Sequence, residues 1–163
     1  MNNKTKLIKT AKVCGIVAKI AYLISSVACV VFLVLAIVFP LVDVWKSVTR
    51  TETAIIFSVF AVYAFVMVGL LWNVEKLFDT MKKLETPFSA TINRYLKKIA
   101  VFTLILSCVP ALLGSTLLHA LAPNSVFEFR IELVGVLMSI VLFLLGQVFA
   151  YGKELQQKDD ETL

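Results

Sequence analysis

Four long stretches without a charged residue dominate this sequence, at residues 20–42, 53–74, 99–118 and 133–152. Each is close to the roughly 20 residues that an α-helix needs to cross about 30 Å of hydrocarbon. The chain has 163 residues, of which 60% are apolar and 17% charged. It therefore has too little polar sequence to surround four buried core helices in water. These features predict an all-α integral membrane four-helix bundle in a single domain, residues 1–163.

The first stretch could also be a secretory signal peptide, because five lysines precede it. It holds thirteen Leu, Ile, Val or Phe residues between Ile20 and Phe39. At roughly −0.3 to −0.6 kcal/mol each, they favour insertion by about 4 to 8 kcal/mol. This apolar run is longer than the apolar region of a signal peptide, and no small-x-small cleavage site follows it. We therefore interpret it as a retained transmembrane helix.

The distribution of Lys and Arg predicts the orientation. Thirteen of them flank the stretches on the side of the two termini and the second connection, and three lie on the other side. The positive-inside rule then predicts that both termini are cytoplasmic. An even number of spans independently places both termini on the same side of the membrane, which agrees. Lysines beside an anionic inner leaflet account for the net charge of +5. Direct nucleic-acid binding is not expected, because no helix-turn-helix, zinc or stacking module is visible.

Helical periodicity continues into the second connection, residues 75–98. Apolar residues recur at helical spacing there on both sides of Thr86-Pro87-Phe88-Ser89. Proline disfavours helix at the residue before it, and Ser89 can cap the next helix. Asp79 can pair with Lys83 one turn later. The sequence thus predicts that helices 2 and 3 extend into a cytoplasmic hairpin, whose apolar stripes pack on each other or, alternatively, on a partner. A polar tail, residues 153–163, follows the fourth stretch.

No pattern in the sequence indicates catalysis. The four stretches contain no ionisable residue of the kind that marks ion or proton pathways, and His119 lies at the outer end of the third stretch. Hydrolase, P-loop and zinc-protease motifs are absent from the sequence. Cys14, Cys29 and Cys108 have no CxxC spacing and are interpreted as small reduced residues. We therefore expect no enzyme activity, no catalytic residue, no cofactor and no metal.

Small residues at helical spacing predict where the helices pack. In a bilayer, such faces allow close backbone approach where lipid supplies no hydrophobic drive for association. They most simply hold the bundle together, and contacts within a homo-oligomer are the alternative. The residues are Ala21, Ser25 and Cys29 in the first helix, Ser107, Ala111 and Ser115 in the third, and Gly135 and Ser139 in the fourth.

Two segments together resemble a bacterial family of four-helix membrane proteins catalogued as domain of unknown function 2975. One is Thr86-Pro87-Phe88-Ser89 with Asn93, Leu96-Lys97 and Ile99, and the other is Tyr151-Gly152, Leu155-Gln156 and Asp160-Glu161-Thr162-Leu163. The resemblance implies a multi-pass protein of the bacterial cytoplasmic membrane with no settled activity. Many members are encoded beside a small helix-turn-helix regulator, which implies a membrane-held controller of transcription.

The resulting functional hypothesis is a non-enzymatic membrane regulator or sensor that binds a small helix-turn-helix transcription factor or another intracellular partner. The acidic tail either docks that basic partner or reaches back to the basic hairpin. The alternatives are an oligomeric pore, a transporter accessory subunit, or a tolerance or immunity protein against membrane-active compounds. The candidate docking residues are Pro87, Phe88, Tyr151, Gly152, Leu155, Gln156, Asp160 and Glu161.

Overall fold

The computed structural model describes the backbone of residues 3–41, 50–83, 89–125 and 128–161. It describes the side chains of all these residues except 3–7, 40, 156 and 159–161. The described residues are all-α. The helices are α1 (Asn3–Val38), α2 (Arg50–Lys83), α3 (Ala90–Leu121) and α4 (Leu133–Glu161), and a 3-10 turn, Phe39–Leu41, follows α1.

All four helices are long and apolar enough to cross a membrane. They have 36, 34, 32 and 29 residues, and a helix of roughly 20 already spans the hydrocarbon. Mean hydropathy over the best window of each lies between 2.1 and 2.8. The chain is a multi-pass membrane protein, as its composition predicts.

Two local contacts predicted from the sequence lie near the start of α3 and in the last turns of α2. The Thr91 amide donates to Ser89 Oγ at 3.2 Å, so the prediction that Ser89 caps α3 is confirmed. The predicted pairing of Asp79 with Lys83 is wrong, because Asp79 Oδ1 lies 2.7 Å from Lys82 Nζ. On a helix, a side chain can reach neighbours both three and four positions away, and here Asp79 pairs with the residue three positions away.

The helices pack in chain order. α1 contacts α2, α2 contacts α3, and α3 contacts α4. Among the described residues, no Cα atom of α1 lies within 8 Å of α3 or α4, and none of α2 lies within 8 Å of α4. In the most apolar window of α1 no residue is buried, compared with 28% in α2 and in α3. α2 and α3 are thus central, and α1 and α4 present broad faces to the lipid.

Aromatic rings join α1 and the 3-10 turn that follows it to α2. Ring centroids lie 5.0 to 5.7 Å apart, within the range of favourable aromatic pairs. The three pairs are Tyr22 with Trp72, Phe32 with Phe60, and Phe39 with Phe57.

α4 begins beside the middle of α3 instead of at its end. The Glu132 amide donates to the Ser107 carbonyl at 3.3 Å, and Gly135 lies against the Ser107 side chain. A carbonyl oxygen has two lone pairs, so it can accept this bond in addition to one within its own helix. α4 therefore starts about a dozen residues short of the point where α3 ends.

The irregular residues 128–132 occupy the space along α3 that α4 leaves. Phe129 packs on a core cluster at this end of the bundle, and its carbonyl accepts from Ser115 Oγ at 2.9 Å. The alternation of apolar and polar residues over 126–131 predicts a short extended piece. Its described part, 128–131, is neither helix nor strand. The cluster consists of Ile55, Ile56, Val59, Leu118 and Ala122.

Candidate functional site

The last turns of α4 expose apolar side chains outside the contacts between the helices. Tyr151 is 63% and Leu155 47% exposed. Because these residues lie four apart on one helix, they share a face, with half-buried Gly152 next to Tyr151. We refer to Tyr151, Gly152 and Leu155 as the α4 terminal face.

The contact between Gly146 and Asn93 positions this face. A Cβ atom at residue 146 would lie 2.9 Å from Asn93 Oδ1, so glycine permits the close approach of α4 to α3. α3 begins only three residues before Asn93, whereas α4 continues for fifteen residues beyond Gly146. At about 1.5 Å per residue, α4 extends roughly 22 Å past this contact and α3 roughly 4.5 Å. The end of α4 thus runs well beyond the start of α3.

The remaining candidate docking residues are only partly described. Pro87 and Phe88 lie outside the described residues, and so do the side chains of Gln156, Asp160 and Glu161. The backbone is helical through Glu161, without a break at Gly152. The structure therefore places three of the eight candidates on one face and leaves the relation of the tail to Pro87 and Phe88 undescribed.

The small residues of α3 and α4 meet at the start of α4. Ser107 and Ala111 are buried in α3, Ser139 is buried in α4, and Gly135 lies against Ser107. Ser115 is exposed and donates to the Phe129 carbonyl rather than facing α4.

The small residues of α1 lie at the side of α2. Cys29 Sγ is 3.8 Å from the Ala61 carbonyl oxygen, within reach of a weak thiol hydrogen bond. Ala21 and Ser25 are half-buried. Of Ala21, Ser25 and Cys29, it is Cys29 that the structure shows in a hydrogen bond to α2.

Lone glycines are the contact positions that sequence reasoning missed. A Cβ atom at Gly69 would lie 2.7 Å from the Phe102 ring, and one at Gly114 would overlap the Phe129 ring. Pairs of small residues four apart are a recognised signal for helix packing. A single glycine opposite an aromatic ring leaves no such repeat, so only the tertiary structure reveals it.

Within the described part of the chain, no group of three or more His, Cys, Asp or Glu side chains could hold a metal ion. Cys14, Cys29 and Cys108 are free and half-buried. The chemistry that the α4 terminal face offers is noncovalent: an apolar ridge with a phenol hydroxyl, exposed at the end of a long helix.

Comparison with protein-family models gives a match over most of the chain. The model of the family described as "Protein of unknown function (DUF2975)" matches residues 53–163, roughly two thirds of the chain. The match runs from the start of α2 through the tail and so includes both segments that carry the resemblance. No curated protein and no solved structure matches the chain significantly.

Proposed function

The chain belongs to the DUF2975 family of proteins of unknown function, and we propose that it is a non-enzymatic regulator or sensor of the bacterial cytoplasmic membrane. In this proposal, the α4 terminal face docks a small intracellular partner, and a helix-turn-helix transcription factor is the leading candidate. The membrane segments hold that partner near the bilayer until a signal releases it.

Tyr151 and Leu155 lie at the inner end of the candidate span Leu133–Leu155, and their exposure, where α4 continues past the start of α3, is the observation that carries this proposal. Helices often bind partners by laying apolar residues four apart into an apolar groove. The tail adds Asp159, Asp160 and Glu161 within two further turns, which would attract a basic partner. A DNA-binding module has such a basic surface.

The proposal requires both termini, and with them the hairpin of residues 75–98, to be cytoplasmic. The charge asymmetry supports this orientation. Reporter fusions after Leu84 and Leu163 should read cytoplasmic, and fusions after Ser47 and Ser125 should read external. An external reading after Leu163 would contradict the orientation and with it an intracellular partner.

The docking test is crosslinking and pull-down of the full chain from native membranes, followed by mass spectrometry. Changing Tyr151 and Leu155 together to Ser should remove the partner and leave the amount of inserted protein unchanged. The matched control is Gln157→Ala, which changes an exposed residue of the same segment on the other side of the helix. Equal partner recovery from both variants would contradict docking at this face.

The acidic tail allows a second, independent readout. Changing Asp159, Asp160 and Glu161 to Asn, Asn and Gln should weaken partner capture and reduce its salt dependence, because exposed charges are screened by salt. If partner capture is unchanged and proteolysis near Pro87 becomes faster, the tail instead contacts the basic hairpin. Recovery of only cross-linked copies of this chain would favour the competing proposal of an oligomeric pore.

A further inference from the structure

Three adjoining grooves lie on the surface of α3, from its first turn towards the middle of the helix, and lead around the helix to the side that faces α4. The first is polar and is lined in part by Thr91, Arg94 and Lys98. The second shares Arg94 and Lys98 and adds Val101. The third also includes Val101 and continues between α3 and α4. Since neighbouring grooves share lining residues, they adjoin one another, and we refer to the three together as the channel; its lining changes from basic to apolar.

The basic end carries three cationic side chains. Arg94 and Lys98 are exposed, Lys97 is half-buried, and none of the three forms an ion pair within the described part of the chain. Thr91 and Tyr95, which also line this end, have hydroxyl groups that can donate hydrogen bonds. Arg and Lys with adjacent hydroxyl donors form a suitable environment for a phosphate group.

The apolar end is an open groove of about 290 Å³ between α3 and α4. Val101, Leu104 and Ile140 are 42 to 51% exposed there, and Phe143 is 45% exposed. These side chains belong to uncharged stretches of the sequence, so lipid tails are their natural surroundings. The groove is open and almost entirely apolar, which suits an acyl chain better than a polar ligand.

Lys97 links the two ends. Its Nζ lies 5.9 Å from the centroid of the Phe143 ring, and Phe143 lines the apolar groove. This cation–π contact holds a positive charge directly above the apolar groove. A ligand with an anionic head and an apolar tail matches this arrangement over its whole length.

We propose that this channel binds one anionic phospholipid, with its phosphate at Arg94, Lys97 and Lys98 and an acyl chain along Val101, Leu104 and Ile140. Basic pockets between transmembrane helices commonly bind anionic head groups. The site is separate from the α4 terminal face and does not depend on the docking proposal. The acidic end of α4 does not occupy it, because Asp159 is thirteen helical residues, roughly 20 Å, beyond the level of Gly146 and Asn93.

The test uses the purified full chain in a neutral detergent and native mass spectrometry. Phosphatidylglycerol and phosphatidylcholine are added in equal amounts, and the bound fraction of each is measured. We expect one retained phosphatidylglycerol per chain. Changing Arg94 and Lys98 together to Gln should weaken its retention at least about tenfold. Equal retention of both lipids, or no effect of the double variant, would overturn the proposal.

Lys19→Gln is the matched charge control. Lys19 is exposed on α1, which does not approach α3 in the described residues. The contacts of Tyr22 with Trp72 and of Gly69 with Phe102 place it within about one turn of Lys98 in depth. We expect Lys19→Gln to retain phosphatidylglycerol. Lys19→Gln removes one charge and the double variant removes two. A loss of half the free energy lost by the double variant, or more, would therefore show general charge attraction and contradict a defined site.

A second variant tests the apolar end without altering charge. Val101→Trp should fill the channel and reduce phosphatidylglycerol retention, whereas Val30→Trp on the exposed side of α1 should not. Glycerol 3-phosphate is the soluble competitor and should fail to displace the lipid. Displacement by glycerol 3-phosphate at lipid-like concentrations, or no effect of Val101→Trp, would refute the acyl-chain part and indicate a soluble phosphate site.

Circular dichroism and the thermal midpoint of each variant without added lipid show whether it is folded. Arg94 and Lys98 are exposed and form no ion pair in the part of the chain that the structure describes, so their replacement should leave both measurements unchanged. If the double variant is folded and retains as much phosphatidylglycerol as the unchanged chain, the proposal is contradicted directly.

Discussion

The pair α1–α2 and the pair α3–α4 are held together in different ways. α1 and α2 meet through large aromatic rings, such as Phe32 on Phe60 at 5.5 Å. α3 and α4 meet where a glycine of α4 lies against a polar side chain of α3, Gly135 on Ser107 and Gly146 on Asn93. Both pairs are antiparallel neighbours in the chain. α1 also places one glycine, Gly15, beside the Lys82 side chain of α2, but aromatic rings pack along most of that pair.

This difference has a consequence for tolerance to mutation. A ring pair can lose part of its contact and still bury apolar area, since each ring also touches other side chains or lipid. A glycine contact has no free volume for added atoms, so even one methyl group forces a neighbour to move. We therefore expect the α3–α4 pair to be the less tolerant of the two.

Gly135→Leu should have the largest effect. Its side chain would occupy the position of the Ser107 side chain, whose hydroxyl donates to the Thr103 carbonyl at 2.8 Å. Overpacking of this kind costs about 1 to 3 kcal/mol. Thermal unfolding in detergent measures the loss, and Val134→Leu, at an adjacent position that is 76% exposed, is the control. Equal midpoints for the two variants would contradict the comparison.

The contact between Gly146 and Asn93 should show coupling in a double-mutant cycle. Gly146→Ala alone should destabilise α4 against α3, because the new methyl group meets Asn93 Oδ1. Asn93→Ala removes that buried oxygen, which has no hydrogen-bond partner in the described residues. Combined with Gly146→Ala, it should therefore recover the stability that the glycine substitution loses. We expect a coupling free energy of about 1 kcal/mol. Additive effects would show that the two side chains do not meet.

Phe32→Leu should have the smallest effect. The substitution removes the stacked contact with Phe60 but keeps an apolar side chain of moderate size, so the expected loss is about 0.5 to 1 kcal/mol. The same unfolding measurement applies, with Ile37→Leu at a 69% exposed position of α1 as the control. A loss larger than that of Gly135→Leu would reverse the comparison between the two pairs.

The sequence by itself determined the type and number of the helices, their membrane character and the cap at Ser89. These properties depend on composition, on periodicity and on one residue's hydrogen bond to its own backbone neighbours. The motifs before α3 and after α4 were also sufficient for the family, which the match over residues 53–163 confirms. Each of these features is encoded locally, within a stretch of a few to about twenty residues.

Only the tertiary structure decided which helices touch, and where. Apolar residues surround each span on all sides, because lipid and protein neighbours are equally apolar, so periodicity cannot tell a lipid-facing position from a packed one. For the same reason the sequence did not reveal that α4 starts beside Ser107, or that Lys97 lies over Phe143. Those contacts join residues that are tens of positions apart, and their geometry depends on how the helices pack.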